Sequence, residues 1–200
     1  MPNTKPLTVV FAVLVVASGF LTAPPSISAA DNEKVLHSFG KGEDGDGPYA
    51  SLIFDAAGNL YGTTYGGGAF KSGSVFKLTP VANGKWTEDV LHSFGNGKDG
   101  TNPLSGLIFD AAGDLYGTTA GGGAHNDGTV FELMPVAEGK WTEKILHSFE
   151  LNSKDGIIPY TGLIFSKTGN LYGSTSSGGT STVGCGTGGP GCGTVFEVTP

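Results

Sequence analysis

The chain has 200 residues, with 18 acidic side chains and 11 basic ones, all of them lysine. The net charge of −7 and the lack of arginine argue against a nucleic-acid partner, because phosphate recognition depends on clustered basic side chains and arginine forks. The acidic balance also gives no attraction to anionic lipid. Glycine is abundant, at 35 residues, but blocks of Val, Ile, Leu and Phe can supply a core, which argues against collagen and against disorder.

The N-terminus has the pattern of a secretory signal peptide. Lys5 precedes a mostly apolar run from Leu7 to Leu21, and the small residues Ser28 to Ala30 fit a cleavage site. An uncleaved membrane anchor is the alternative, but the run is shorter than the about 20 residues that a spanning helix needs. We therefore expect residues 1–30 to be a signal peptide. The mature chain, 31–200, is expected to be secreted, periplasmic or at the cell surface, without insertion into a membrane.

Three sequence landmarks recur with a period of about 55 residues. The motif LHSF begins at Leu36, Leu91 and Leu146. A motif of the type LIFDAAGNLYGTT begins at Leu52, Leu107 and Leu163, and a motif of the type SVFKLTP begins at Ser74, Thr129 and Thr194. Self-similarity at a fixed period predicts a repeat architecture. The three repeats span about 33–80, 86–135 and 141–200.

Each repeat has the pattern of four short antiparallel strands and no convincing helix. In the middle copy these segments are Trp86 to Phe94, Leu107 to Asp110, Leu115 to Thr119 and Thr129 to Leu133. A four-stranded meander at this period is typical of a β-propeller blade, and a β-solenoid with its usually shorter coils is the alternative. We predict an all-β fold: a β-propeller-like array of three four-stranded blades, each read in the strand order d-a-b-c.

This strand order leaves one strand without its blade. The chain begins with an outer strand, Glu33 to Phe39, and ends after the third strand of the last blade. Pairing these two ends would close a ring and remove two exposed edges, but three blades are fewer than the roughly four to eight that are typical. We expect a partial or open array that is a fragment of a longer one. The alternatives are closure within the chain and a dimer that shares strands.

The LIFDAAGNLYGTT motif, the glycine run that follows it and the SVFKLTP strand together resemble a bacterial tandem-repeat family known as GloVer repeats. The resemblance covers Glu33 to Pro200 in three copies. Proteins of that family are described as choice-of-anchor, meaning exported proteins with one of several C-terminal sorting tails. The resemblance implies β-propeller-like repeats and attaches no catalytic residue or defined ligand to them. No sorting tail follows Pro200, so we expect a fragment or a freely secreted protein.

Repeated aspartates mark the loops that a meander places on one face of the array. Asp44, Asp99 and Asp155 lie in the d–a loops, and each is followed by glycine and, at a fixed offset, by proline. Asp-Gly pairs are ordinary turn formers, so a structural role is the first interpretation. The alternative is a ring of carboxylates around an axial cation, which would need more oxygen ligands for calcium.

The recurring histidines are predicted to have structural roles. His37, His92 and His147 lie in equivalent strands, and a zinc site would require them to converge, which separate blades do not readily allow. We therefore predict packing or hydrogen bonding for them, and we predict neither a metal site nor a cofactor.

Other ligand-binding candidates lie in the b–c and neighbouring loops. His125 is present in the second copy alone and could act as an acid or base. Tyr65, Phe70 and Tyr160 could stack on a sugar or a peptide, although core packing explains them equally well. Loops on a rigid scaffold are where binding usually occurs. The candidates on this face are Asp44, Asp99, Asp155, His125 and Tyr65.

The third copy departs most from the others. Its b–c loop is about ten residues longer and holds both cysteines of the chain, Cys185 and Cys192. In an exported protein two cysteines this close in sequence predict a disulfide bond. The alternative of a metal or redox site lacks the CxxC spacing and a nearby histidine.

These observations favour a non-catalytic exported module that binds an unknown extracellular ligand or protein, or serves as a scaffold. The sequence contains no nucleophile-elbow GxSxG and no phosphate loop. An extracytoplasmic lyase or glycan hydrolase is the alternative. It would be favoured if at least two of His125, Asp44, Asp99 and Asp155 converged. Self-association through unpaired blade strands is a further expectation.

Overall fold

The computed structural model describes residues 33–152, 154–181, 185 and 191–200. The chain divides into two compact units, Met1–Lys34 and Val35–Pro200, and every described strand lies in the second. The signal peptide predicted for 1–30 lies outside the described residues. Within the described part of the chain, no helix has the length and apolar character of a membrane span.

The strands follow the same order in each copy. In the structure, the strand that opens each later sequence repeat completes the preceding sheet, so the first structural copy contains β1 (Gly45–Asp46), β2 (Ile53–Phe54), β3 (Leu60–Thr64), β4 (Gly66–Gly67), β5 (Ser74–Val81) and β6 (Lys85–Ser93). The second contains β7 (Gly100–Thr101), β8 (Ile108–Phe109), β9 (Leu115–Thr119), β10 (Gly121–Gly122), β11 (Thr129–Pro135) and β12 (Trp141–Ser148). The third contains β13 (Gly156–Ile157), β14 (Ile164–Phe165), β15 (Leu171–Ser174), β16 (Ser177–Gly178) and β17 (Val195–Val198). Short 3-10 turns at Ala82–Gly84 and Ala137–Gly139 join the last two strands of the first two copies.

Each copy builds one antiparallel meander. Sheet 1 has the order β2-β3-β5-β6, sheet 2 the order β8-β9-β11-β12, and sheet 3 the order β14-β15-β17. The all-β prediction is confirmed, and no α-helix occurs in the described ranges. The described sheets do not close into a ring.

The segment Glu33 to Phe39, predicted as an outer strand, belongs to none of these sheets. That part of the prediction is wrong: within the described ranges these residues form irregular chain, whereas a strand requires main-chain pairing in a ladder. Leu36 and Phe39 instead pack on the apolar side chains of sheet 1.

Three two-stranded ladders join the loops at one end of the sheets. β1 pairs with β4, β7 with β10, and β13 with β16, so the two loops that were expected on one face of each repeat are hydrogen-bonded to each other. The glycine of each Asp-Gly pair permits this approach. A Cβ atom on Gly45 would overlap the side chain of Thr64, and Gly100 and Gly156 have the same relation to Thr119 and Thr175.

The hydrophobic core lies between consecutive sheets. The phenylalanine of each LHSF motif reaches forward and meets a phenylalanine of the following sheet, with ring centroids 4.8–5.1 Å apart. These pairs are Phe39 with Phe76, Phe94 with Phe131, and Phe149 with Phe196. The LHSF motif is therefore the connection between repeats.

Candidate functional site

The histidine of each LHSF motif is held at the junction between one repeat and the next. Its ring packs edge-on against the phenylalanine two residues later, at centroid distances of 4.5–4.7 Å. The β5–β6 ladder shifts register next to His92, and the β11–β12 ladder shifts in the same way next to His147. A β-bulge re-aims the side chains beside it, and here each histidine faces the loop that follows.

The aspartate of each Asp-Gly pair lies against the histidine of the same junction. The distances from His Nε2 to Asp Oδ2 are 3.4 Å at Asp44, 3.2 Å at Asp99 and 3.0 Å at Asp155. Each aspartate also accepts a backbone N–H from its own loop, as Asp44 does from Gly40 at 2.9 Å. The three aspartates thus lie at three separate junctions, each with its own histidine.

A glutamate from the outer strand of the following sheet completes the first two junctions. Glu88 Oε2 of β6 lies 3.6 Å from His37 Nε2, and Glu143 Oε2 of β12 lies 3.7 Å from His92 Nε2. In each cluster one ligand-type atom from each of the three side chains lies within 4.8 Å of the others, so both clusters could hold a metal ion.

The third junction has the histidine and the aspartate, and among the described residues no glutamate joins them. The side chain of His147 is accordingly 37% exposed, compared with 19–20% for its two counterparts. The third junction therefore shows how the histidine and the aspartate are arranged without the glutamate of the two complete clusters.

Glu88 and Glu143 were not identified as site residues from the sequence. The signal that could have found them is the triplet Trp-Thr-Glu, which ends at Glu88 and Glu143 in phase with the histidine motif.

Burial and like charge disfavour the ionised glutamates. Burial raises the pKa of Glu143 to about 7, with His92 opposing the shift and Asp99 adding to it. Burial also raises the pKa of Glu88; the charge of His37 opposes this rise, and nearby aspartates add to it. Among the described residues, four buried atoms of the two clusters have no hydrogen-bond partner. These atoms are His37 Nε2, Glu88 Oε1, Asp99 Oδ1 and Glu143 Oε1.

The second cluster opens to solvent through a cleft of about 480 Å³. Besides His92, Asp99 and Glu143, its walls include Glu43 and the exposed ring of Phe70. The cluster is therefore accessible to a small ligand.

The remaining predicted site residues lie apart from the clusters. His125 is exposed in the loop after β10 and makes no hydrogen bond to a described residue. Tyr65 is exposed and packs edge-on against Tyr49, with ring centroids 6.0 Å apart. Tyr160 is also exposed. The disulfide between Cys185 and Cys192 is confirmed; most of the loop between the two cysteines lies outside the described residues.

A family model described as the Gloeobacter/Verrucomicrobia repeat matches residues 26–187. The match covers all three LHSF motifs and all three aspartate–histidine junctions, and it confirms the resemblance seen in the sequence motifs. No curated protein matches the chain.

Proposed function

The chain belongs to the Gloeobacter/Verrucomicrobia repeat family, and we propose that it is an exported, non-catalytic bacterial module that binds or scaffolds at the cell surface or in the periplasm. The observation that carries the proposal is that an aspartate–histidine pair recurs at every junction, and at the first two junctions a glutamate of the following sheet joins it. A disulfide bond is typical of oxidising compartments outside the cytoplasm, which supports export.

We also propose that the three sheets are blades of an open, β-propeller-like array. Two four-stranded meanders and a third of three strands follow one another along the chain with a core between neighbours, which supports this arrangement.

The paired loops form the proposed binding face. Exposed aromatic rings lie on it, above all Tyr49, whose surface is 73% exposed, and its neighbour Tyr65. Such rings offer a large apolar surface at little entropic cost and stack well on sugar rings. A cell-surface glycan is therefore the ligand class to test first, and a protein ligand is the other outcome.

The binding face is tested with the double variant Tyr49→Ala/Tyr65→Ala. We expect its affinity for a purified envelope glycan, measured by isothermal titration calorimetry, to fall at least about tenfold, which corresponds to the loss of about 1.4 kcal/mol. Phe54→Ala is the control, because Phe54 is also an exposed aromatic residue, at 66%, but lies beside the turn at the other end of sheet 1. Equal binding by all three proteins contradicts the assignment of the face. Cleavage of the glycan by the wild type contradicts a non-catalytic role.

Self-association through unpaired strands is proposed as well. Among the described strands, β17 pairs with β15 on one side, and its other edge is unpaired; main-chain groups at such an edge are a ready template for another chain.

A further inference from the structure

We propose that each of the first two repeat junctions binds one divalent transition-metal ion of the zinc type. The ligands are His37, Asp44 and Glu88 in the first site, and His92, Asp99 and Glu143 in the second. Each site offers one imidazole nitrogen and two carboxylates, and each takes ligands from the two sides of a junction. The ion would therefore tie one repeat to the next.

The spacing of the donor atoms fits such an ion. The imidazole nitrogen lies 3.4 and 3.6 Å from the two carboxylates in the first site, and 3.2 and 3.7 Å from them in the second. An ion held about 2.0–2.2 Å from each ligand separates neighbouring ligand atoms by about 3.0–3.6 Å. Both clusters therefore need only small side-chain movements to close around it.

The buried carboxylates lack the partners that an ion would supply. The side chains of Asp44 and Asp99 are only 8% and 9% exposed. Within the described ranges, Asp99 Oδ1 and Glu143 Oε1 are buried without a hydrogen bond, and the first site repeats this at Glu88 Oε1. A buried carboxyl oxygen without a partner is unfavourable, so it points to a ligand that would satisfy it.

A hydrogen bond satisfies the three side chains less well than an ion does. The single Nε2 atom of the imidazole can donate one hydrogen bond to one carboxylate, so it cannot serve both carboxylates of a site at once. A divalent ion with a neutral imidazole and two carboxylates gives zero net charge.

The donor set decides the class of ion. Mixed imidazole and carboxylate ligands suit zinc and neighbouring transition metals, whereas calcium takes about six to eight oxygens. The cleft beside His92 provides an entry path to the second site.

The experiment measures the metal content of the untagged chain after it is stripped, saturated with Zn²⁺ and dialysed. We expect two ions per wild-type chain, one in Glu88→Gln, one in Glu143→Gln and none in the double variant. His147→Gln is the matched control and should retain two, because it removes an imidazole at the junction to which the described residues contribute no glutamate. At a 100-fold excess of Zn²⁺ over Kd, the melting temperature of the wild type should rise by about 5–10 °C, and a chelator should reverse the rise.

Several outcomes would overturn the proposal. Zinc retention that is unchanged in the double variant would place the ion elsewhere, and calcium bound in preference to zinc would contradict the ion class. The glutamine variants should fold, since an amide of the same shape relieves like-charge repulsion. A measurement on the wild type alone avoids any dependence on them: Co²⁺ bound by these ligands gives ligand-field absorption bands, and their absence refutes the site.

Discussion

At the scale of single residues, Glu132 shows how a repeat accommodates a buried charge. Its carboxylate lies inside sheet 2, where it accepts the phenol O–H of Tyr116 at 2.6 Å and faces Lys144 at 3.1 Å. In sheet 1 the equivalent cross-strand pair is Lys77 and Asp89, with the two signs exchanged. The repeats thus keep opposite charges across the ladder while the residue types change, as cross-strand pairing favours.

The variant Tyr116→Phe should destabilise the protein by about 1.5–3 kcal/mol, the range for a hydrogen bond to a charged group. The reason is that Glu132 would stay buried with one donor fewer. Urea unfolding followed by circular dichroism measures the change. Tyr172→Phe is the matched control, because Tyr172 makes its bond to the exposed Glu197 and its loss should leave stability unchanged. Equal effects of the two substitutions would show that burial of Glu132 is unimportant.

Because of Tyr61, the free energy of unfolding should fall at alkaline pH. Burial raises its pKa from 10.0 to about 12, and the hydrogen bond to Asp55 adds to the shift. Since the folded state favours the neutral phenol, the raised pKa adds to the free energy of unfolding. This stabilisation is complete below pH 10 and is lost as the pH rises towards 12. Chemical unfolding at a series of pH values checks this. Tyr61→Phe should show a smaller loss over the same interval, and an unchanged loss would contradict the assignment.

At the scale of elements, the strands of the three meanders could be predicted, whereas the two-residue strands and the contacts between repeats could not. β9 has the bounds expected from its alternation and from the turn at Gly113, while β11 continues two residues beyond Leu133 to Pro135. The two-residue ladders were missed because they depend on close approach of glycines that lie about 20 residues apart. The aspartates and histidines of the clusters were singled out from the sequence, but the glutamates were not. Aspartate and histidine lie close together in the chain, whereas Glu88 contacts His37 from the outer strand of the following sheet.

The forward-reaching phenylalanines should carry much of the stability between sheets. Phe94 is fully buried against Phe131, so Phe94→Ala should cost about 3–5 kcal/mol. Phe39→Ala removes the equivalent ring from a half-buried position and should cost clearly less. Denaturant unfolding of both variants tests the difference, and equal losses would contradict the stated role of burial.

The two-stranded ladders that join the loops require glycine where the backbone lies close to a threonine side chain, and this can be tested by substitution. Gly100→Ala places a Cβ atom in the space of the Thr119 side chain, so we expect a loss of about 1–3 kcal/mol from overpacking. Gly162→Ala is the control, since its Cβ would meet nothing closer than 4.0 Å. Thermal unfolding compares the two, and a neutral Gly100→Ala would show that the ladder can move aside.

At the scale of the whole molecule, the described array ends in uncovered faces. Val195 is 82% exposed, whereas the equivalent Val75 and Val130 are fully buried under the next sheet. At the other end Phe54 is exposed, whereas its counterpart Phe109 packs on Tyr61 of the preceding sheet, with ring centroids 5.0 Å apart. The two ends therefore present the two halves of one interface.

Association of the chain with itself should follow from these faces. We expect the mass measured by light scattering to rise with concentration, and we expect Val195→Lys to suppress the rise because it places a charge in the apolar interface. Val136→Lys is the control, since Val136 is exposed outside that face. A wild type that remains monomeric at high concentration would refute the association.

The forward contact of each LHSF motif bears on how such a chain can evolve. Every junction pairs equivalent phenylalanines across its two sides, so the motif of one copy matches the phenylalanine of any other sheet. Deleting one period of about 55 residues would place His37 beside the partners of His92, and duplicating one would place His92 beside the partners of His37. The types of side chain in contact would stay the same. Copy number can thus drift by unequal recombination while each interface is inherited intact.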